Sequence, residues 1–278
     1  MIPRWVTALQ WAGKTAWYVY RTEEVVRDEL LRAWLDPEVR PLVTERDYAR
    51  ASSYLPGGAT FERGLFDWES DVLASLHFPK SGRILLGAAG GGRELLALSE
   101  RGFEVVAFEP NARLRAGAEA VARAHPRASV IDATYADLVQ AARGRTGPLA
   151  DVVASGPFDG VILGWGSLTH LMTSEEHLEL LKATRACAPC GPTLISFFMR
   201  PTAPNGNSER LRAGLRALFS TLGAKQPPDG IGYEMGTGFV YYFTEEEVHR
   251  LAFEAGYEVA HLRAHSFPHA VLKPLSAG

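Results

Sequence analysis

The stretch Arg83-Ile84-Leu85-Leu86-Gly87-Ala88-Ala89-Gly90-Gly91-Gly92-Arg93-Glu94 decides the fold. Ile84, Leu85 and Leu86 form a short apolar run of the kind found in a strand buried on both faces of a parallel sheet. A glycine-rich run follows at once, and Arg93 to Glu100 then sets apolar residues at helical spacing. Strand, glycine turn and helix in this order make a ligand-binding crossover. Glycine lets the backbone approach a ligand, and a helix start offers N–H groups without intrahelical partners. A second apolar strand, Val105-Val106-Ala107-Phe108, ends in Glu109. An acidic residue there can accept both hydroxyls of a ribose, so an adenosine-type cofactor is expected.

The glycine spacing separates two such cofactors. The dinucleotide fingerprint G-x-G-x-x-G uses its second glycine to admit a pyrophosphate. Here Gly87-x-x-Gly90-Gly91-Gly92 puts Ala89 at that place, and its methyl group obstructs a diphosphate. The run instead resembles the first motif of class I S-adenosylmethionine-dependent methyltransferases, an acidic residue followed by x-G-x-G-x-G. In that register Gly90 and Gly92 match, Ala88 replaces the first glycine, and Leu86 replaces the acidic residue. Glu94, two residues past the last glycine, is the candidate to supply the missing carboxylate to the methionine amino group.

The resemblance runs from about Phe61 to the C-terminus. The lead-in from Phe61 to Glu69 is similar to that of bacterial methyltransferases whose glycine loop also ends in Gly-Arg-Glu. The resemblance implies an α/β, Rossmann-like class I methyltransferase fold: a seven-stranded, mostly parallel sheet with an antiparallel last strand. It implies cofactor contacts from Gly87, Ala88, Ala89, Gly90, Gly92 and Glu94 in the loop, and from Glu109 and Pro110 after the second strand. Asp132 and Ala133 would follow the third strand, and Trp165 and Gly166 the fourth. Asp132 matches the position that binds the adenine amino group in the family; capping the next helix is its other reading.

Composition narrows the class. A chain of 278 residues suffices for one large domain, or one domain with a cap. The formal net charge is -3, with no long Lys/Arg run, so no nucleic-acid partner is expected. Two cysteines cannot build a disulfide framework. Cys187 and Cys190 have C-x-x-C spacing but lack a second pair of ligands, and no metal site is expected. No apolar stretch approaches the length of a membrane span. Met1-Ile2-Pro3-Arg4-Trp5 lacks the layout of a signal peptide, so a reducing cytoplasm is the expected compartment.

Outside the motif, residues 1 to about 36 read as helix. Trp5, Leu9, Ala12 and Ala16 fall on one face, continued by Val19, Val26, Leu30 and Trp34. Residues 1–56 are expected to be a helical N-terminal cap, with Leu55-Pro56-Gly57-Gly58 as a hinge. Residues 57–278 are expected to be the methyltransferase domain, carrying a cap insertion at about 200–238. That insertion holds loop chemistry at Pro201, Pro204-Asn205 and Pro227-Pro228, around an amphipathic helix from Ser208 to Leu222. Tyr18, Trp68, Arg200, Tyr233 and Tyr242 are candidates to line a substrate enclosure; packing alone is the other reading for each. Arg143 to Pro157 reads as loop. The helix opened by Ser174-Glu175-Glu176-His177 covers the sheet, with His177 expected at its solvated face.

The expected activity is methyl transfer from S-adenosylmethionine to a small molecule, at oxygen as the first expectation. Methyl transfer needs alignment, exclusion of water and, for a hydroxyl acceptor, a base. His170, five residues past Trp165, is the candidate base. A carboxylate acceptor would need none. An RNA or other nucleic-acid methyltransferase is the alternative, although the place of the amino-directed Pro-Pro-aromatic motif holds Gly164-Trp165-Gly166-Ser167. An NAD(P)-dependent oxidoreductase and a non-catalytic binding fold are further alternatives. The acceptor and the oligomeric state are left open.

Overall fold

The structure, a computed structural model, describes residues 4–200, 206–224 and 228–276. The expected loop positions Pro201, Pro204, Asn205 and Pro227 lie outside the described residues, as do the side chains of Trp5, Leu9, Ala12 and Ala16. The strands are β1 (Arg83–Gly87), β2 (Glu104–Phe108), β3 (Ala128–Ile131), β4 (Gly160–Leu163), β5 (Thr193–Ser196), β6 (Phe198–Met199), β7 (Ile231–Glu234), β8 (Gly238–Phe243), β9 (Tyr257–Arg263) and β10 (His269–Pro274).

Seven strands form one sheet in the order β3-β2-β1-β4-β5-β10-β9. β1 to β5 are parallel, and β10, the last in the chain, runs antiparallel between β5 and β9. This is the expected architecture. Its centre is apolar because helices cover both faces, and Ile84, Leu85, Leu86, Val105 and Val161 are fully buried. Gly87 lies opposite both Phe108 and Leu163, and Phe108 opposite Ile131. The central strands therefore end level, and the residues that follow each of them share one carboxyl edge.

The chain divides into two compact units. One comprises Glu45–Arg200 and Val240–Gly278, and contains the seven-stranded sheet; the other comprises Met1–Thr44 and Pro201–Phe239. The second unit pairs the helices Arg4–Trp34 and Gly206–Thr221. Glu29, 1% exposed, accepts hydrogen bonds from Arg32, Arg212 and Arg216 there. Burial alone would raise the pKa of Glu29, but the arginines, Arg216 foremost, hold it below the ordinary value.

Two local expectations are corrected. The segment 143–157 contains a helical turn, Ala150–Ala154, anchored by fully buried Leu149. His177 is not solvated but fully buried. The buried stripe of its helix, Ser174–Cys187, runs through His177, Leu180, Leu181 and Thr184, so the imidazole sits in an apolar row. Its ring contacts Tyr241 and Phe243 at centroid distances of 5.0 and 4.7 Å.

Burial pulls the His177 pKa down to about 4. The folded chain keeps the ring neutral, whereas the unfolded chain protonates it below about pH 6.5. This contribution is thus fully present above that pH and is lost as pH falls toward 4, by about 3 kcal/mol in all. Urea unfolding of wild type and His177→Leu at pH 7.5 and 4.5 checks it. The wild type should lose more stability than the variant on acidification; equal losses would refute the assignment.

Candidate functional site

The glycine loop leaves β1 at the carboxyl edge, and its backbone angles explain its composition. Gly90 and Gly92 have φ of 55° and 94°, where side chains are disfavoured. Ala88, at the place of the first motif glycine, also has positive φ, 52°. The turn therefore keeps its conformation without glycine there, at a cost in backbone strain. Gly91 is required by close packing, since a Cβ would lie 1.9 Å from the Tyr54 carbonyl oxygen. A Cβ on Gly90 would meet nothing within 4 Å, so that part of the loop faces open space. This is the shape required of a loop whose backbone approaches a ligand.

Glu109 follows β2 and is buried. Its Oε2 accepts the Gly90 N–H and its Oε1 the Asn111 N–H, both at 2.9 Å. The carboxylate thereby ties the glycine loop to the end of β2. Burial raises its pKa, opposed by those two hydrogen bonds and by Arg115. Pro110 beside it is exposed, and Asn111 caps the helix Ala112–Arg123.

Asp132 follows β3, is exposed, and pairs with Arg115 at 2.9 Å. The next helix is capped by Thr134 with Asp137, which leaves Asp132 without the capping role. Ala133 is buried. After β4, Gly164 packs so closely that a Cβ would lie 2.3 Å from the Ala88 oxygen, joining this turn to the glycine loop. Gly166 has φ of 69° and donates its N–H to Ser196 Oγ at 2.8 Å.

Glu94 is buried in an ionic network that the sequence does not announce. Arg93 donates to Glu94 at 2.6 Å and to both oxygens of Glu69 at 2.5 and 2.7 Å. Its third partner is the Gly64 carbonyl, at 2.8 Å. Burial by itself lowers the Arg93 pKa, but the two carboxylates reverse this and raise it. Arg93 is thus a fixed cation, and Glu94 Oε1 lies 3.5 Å from the Trp165 amide nitrogen. A small hollow lies here, lined by Glu69, Glu94, Ile162, Trp165, Leu194 and Trp68.

His170 ends a 3-10 turn, Ser167–His170, on the same edge. Its Nε2 is 2.8 Å from Tyr48 Oη, with the rings nearly perpendicular. Burial, then Tyr54 and Glu109, push the Tyr48 pKa far up, so the phenol stays protonated. Tyr48 in turn neighbours Tyr54, and Tyr54 neighbours Trp165, at centroid distances of 6.0 and 6.4 Å. Phe66 packs edge-on against Trp165 at 4.7 Å. An aromatic arc therefore runs from His170 to Trp165.

The other expected substrate residues are dispersed. Trp68 is buried and stacked on His269 at 4.4 Å. Arg200 donates to the Tyr242 carbonyl and to Glu247, and the Tyr242 ring lies against Phe198. Tyr18 is exposed and meets Trp17, while Tyr233 meets Phe239; both belong to the second unit. Sequence reading missed Tyr48, Tyr54 and Phe66. Their one signal was a cluster of aromatic residues flanking the hinge and the lead-in helix. Among the described residues no group of three His, Cys, Asp or Glu could hold a metal ion, and no helix is long and apolar enough to cross a membrane.

No protein-family model matches the chain, and no curated protein sequence does. Solved structures do match it. The chain is similar to a Burkholderia thailandensis 1,6-didemethyltoxoflavin-N1-methyltransferase with its substrate and S-adenosylhomocysteine bound: TM-score 0.55, 18% identity, covering 87% of this chain and 91% of that one. It is also similar to the CcbJ methyltransferase of Streptomyces caelestis, with TM-score 0.53 and 14% identity, covering 84% and 99%. A third is the sugar N-methyltransferase KedS8 of a Streptoalloteichus species, with TM-score 0.50 and 17% identity, covering 76% and 86%. With its strand order and antiparallel last strand, the chain has the Rossmann-like fold of the class I S-adenosylmethionine-dependent methyltransferases.

Proposed function

We propose that this chain is an S-adenosylmethionine-dependent methyltransferase that modifies a small-molecule acceptor, at oxygen in the leading reading. The observation that carries the proposal is the join between Glu109 and Gly90. A buried carboxylate at the end of β2 is held against a left-handed glycine whose missing Cβ faces open space. Those features suit a ribose beside a loop with no room needed for a diphosphate. The solved relatives named above include one with S-adenosylhomocysteine bound, which supports the same cofactor here.

When bound, the cofactor supplies an electrophilic methyl group on a sulfonium. In the proposed arrangement Glu109 holds the ribose hydroxyls, with Pro110 beside it. Asp132 and Ala133 serve the adenine. Gly87, Ala88, Ala89, Gly90 and Gly92 shape the backbone cradle. Glu94, steadied by Arg93, holds the methionine ammonium next to Trp165 and Gly166. His170 Nδ1 takes the proton from an acceptor hydroxyl, while its Nε2–H donates to Tyr48 Oη, which orients the ring. Tyr54, Phe66 and Trp165 exclude water from that space. The proposal keeps residues 1–56 as a helical cap and about 200–238 as a cap insertion, and keeps Tyr18, Trp68, Arg200, Tyr233 and Tyr242 as candidate substrate residues. The proposed setting is cytoplasmic, with no nucleic-acid partner.

The test is to incubate the protein with methyl-labelled S-adenosylmethionine and a metabolite extract, and to identify what gains label. Calorimetry should show binding of S-adenosylmethionine and S-adenosylhomocysteine, and none of NAD. Binding of NAD alone would overturn the assignment. Glu109→Ala should weaken cofactor binding by about 1.5–3 kcal/mol for each charged hydrogen bond lost. An unchanged dissociation constant would remove Glu109 from the site.

A further inference from the structure

The turn between β9 and β10 holds two consecutive non-glycine residues in the left-handed region, Ser266 at φ 52° and Phe267 at φ 66°. Glycine would take these angles without cost, and a bulky ring there is a genuine outlier. Such strain persists only where the surroundings over-determine it, and it concentrates at ligand sites. The surroundings do so here. The His269 Nδ1–H donates to the Phe267 carbonyl at 2.7 Å, and the Phe197 N–H donates to the Pro268 carbonyl at 3.1 Å.

The turn lies on the carboxyl edge. His269 is in register with Ser196, whose Oγ accepts the Gly166 N–H of the turn after β4. The Phe267 ring stacks on Phe66 at 5.3 Å and 23°, and tilts toward Trp165 at 6.3 Å. The Arg93 guanidinium covers the Phe66 ring at 4.5 Å. Arg93 and Phe267 thus both lie against the Phe66 ring, and the Phe267 ring is 42% exposed.

We propose that Phe267 is a specificity-determining plate on which a planar aromatic or heteroaromatic acceptor stacks. This rests on the methyltransferase reading of the same site. An offset stack suits the flat ring. The ring packs against the aromatic rings of Phe66 and Trp165, beside which the hydroxyls of a polyol would be desolvated.

The test uses 2-naphthol and methyl β-D-glucoside as probes, titrated into the full-length protein saturated with S-adenosylhomocysteine. Variants are Phe267→Gly, which relieves the backbone strain as it removes the ring, and Phe267→Trp, which keeps a plate. The wild type should bind 2-naphthol in preference to the glucoside. Phe267→Gly should weaken that binding by about 10-fold and Phe267→Trp should retain it, with S-adenosylhomocysteine affinity unchanged in both. Equal 2-naphthol affinity in wild type and Phe267→Gly would overturn the proposal, as would a wild type that prefers the glucoside. Failure of the wild type to bind S-adenosylhomocysteine would instead sink the methyltransferase reading, and this proposal with it.

Discussion

Replacing His170 with alanine is expected to lower turnover by roughly 100- to 10,000-fold, the usual worth of a positioned base. Cofactor affinity should barely change, because the proposed ribose and adenine contacts lie on Glu109 and Asp132. The partner sharpens the expectation. Tyr48 Oη lies 2.8 Å from His170 Nε2 and its phenol is held protonated by burial. Tyr48 therefore orients the imidazole and does not act as the base itself, so Tyr48→Phe should cost less than His170→Ala. Wild-type turnover should be lower in acid than at neutral pH, since an imidazolium accepts no proton. A carboxylate acceptor predicts the opposite pattern, with turnover nearly retained in His170→Ala and a flat pH profile. That result would end the base role and move the acceptor from hydroxyl to carboxylate.

Arg93→Met should destabilise the sheet-bearing unit by roughly 3–5 kcal/mol, the range for removing one partner from a buried ionic group. Among the described residues Arg93 is the one cation paired with Glu69 and Glu94, and all three side chains are at most 10% exposed. Without it, two carboxylates face each other in a poorly solvated place. One must take up a proton or draw in water. The deficit should therefore shrink as pH falls and the carboxylates become neutral. Glu69→Gln in the Arg93→Met background should recover part of the loss, since one buried charge is then gone. Urea unfolding of the three proteins at pH 7.5 and 5.5 decides the matter. A loss below about 1 kcal/mol, independent of pH, would show that water reaches the cluster and that the pair acts like a surface ion pair. Cofactor affinity should fall with stability in Arg93→Met, because the carboxylate proposed for the methionine ammonium loses the group that holds it.

The buried network and the His170 partner were the parts that sequence reading could not reach. Tyr48 and His170 are 122 residues apart, and Glu69 and Arg93 are 24 apart, with no shared period or turn to connect them. The same holds for His177. A polar side chain in a helix reads as solvated until the rows around it show that its face is the packed one. Phe267 was silent too, since nothing in His265-Ser266-Phe267-Pro268 signals a left-handed phenylalanine. Asp132 was visible as a strand-end carboxylate, but only the structure shows Thr134 and Asp137 taking the helix cap.

By itself the sequence determined the crossover of β1, glycine loop and helix, the succession of parallel strands, and which residues stand at their carboxyl ends. These are local matters: apolar runs, glycine angles and helix caps act within a few residues. The tertiary structure alone decided that β10 enters the sheet between β5 and β9. It alone joined Glu109 to Gly90, Arg93 to Glu69, and His170 to Tyr48. Such pairs form because packing and desolvation bring distant segments together, and no local pattern encodes which partner each buried polar group will find.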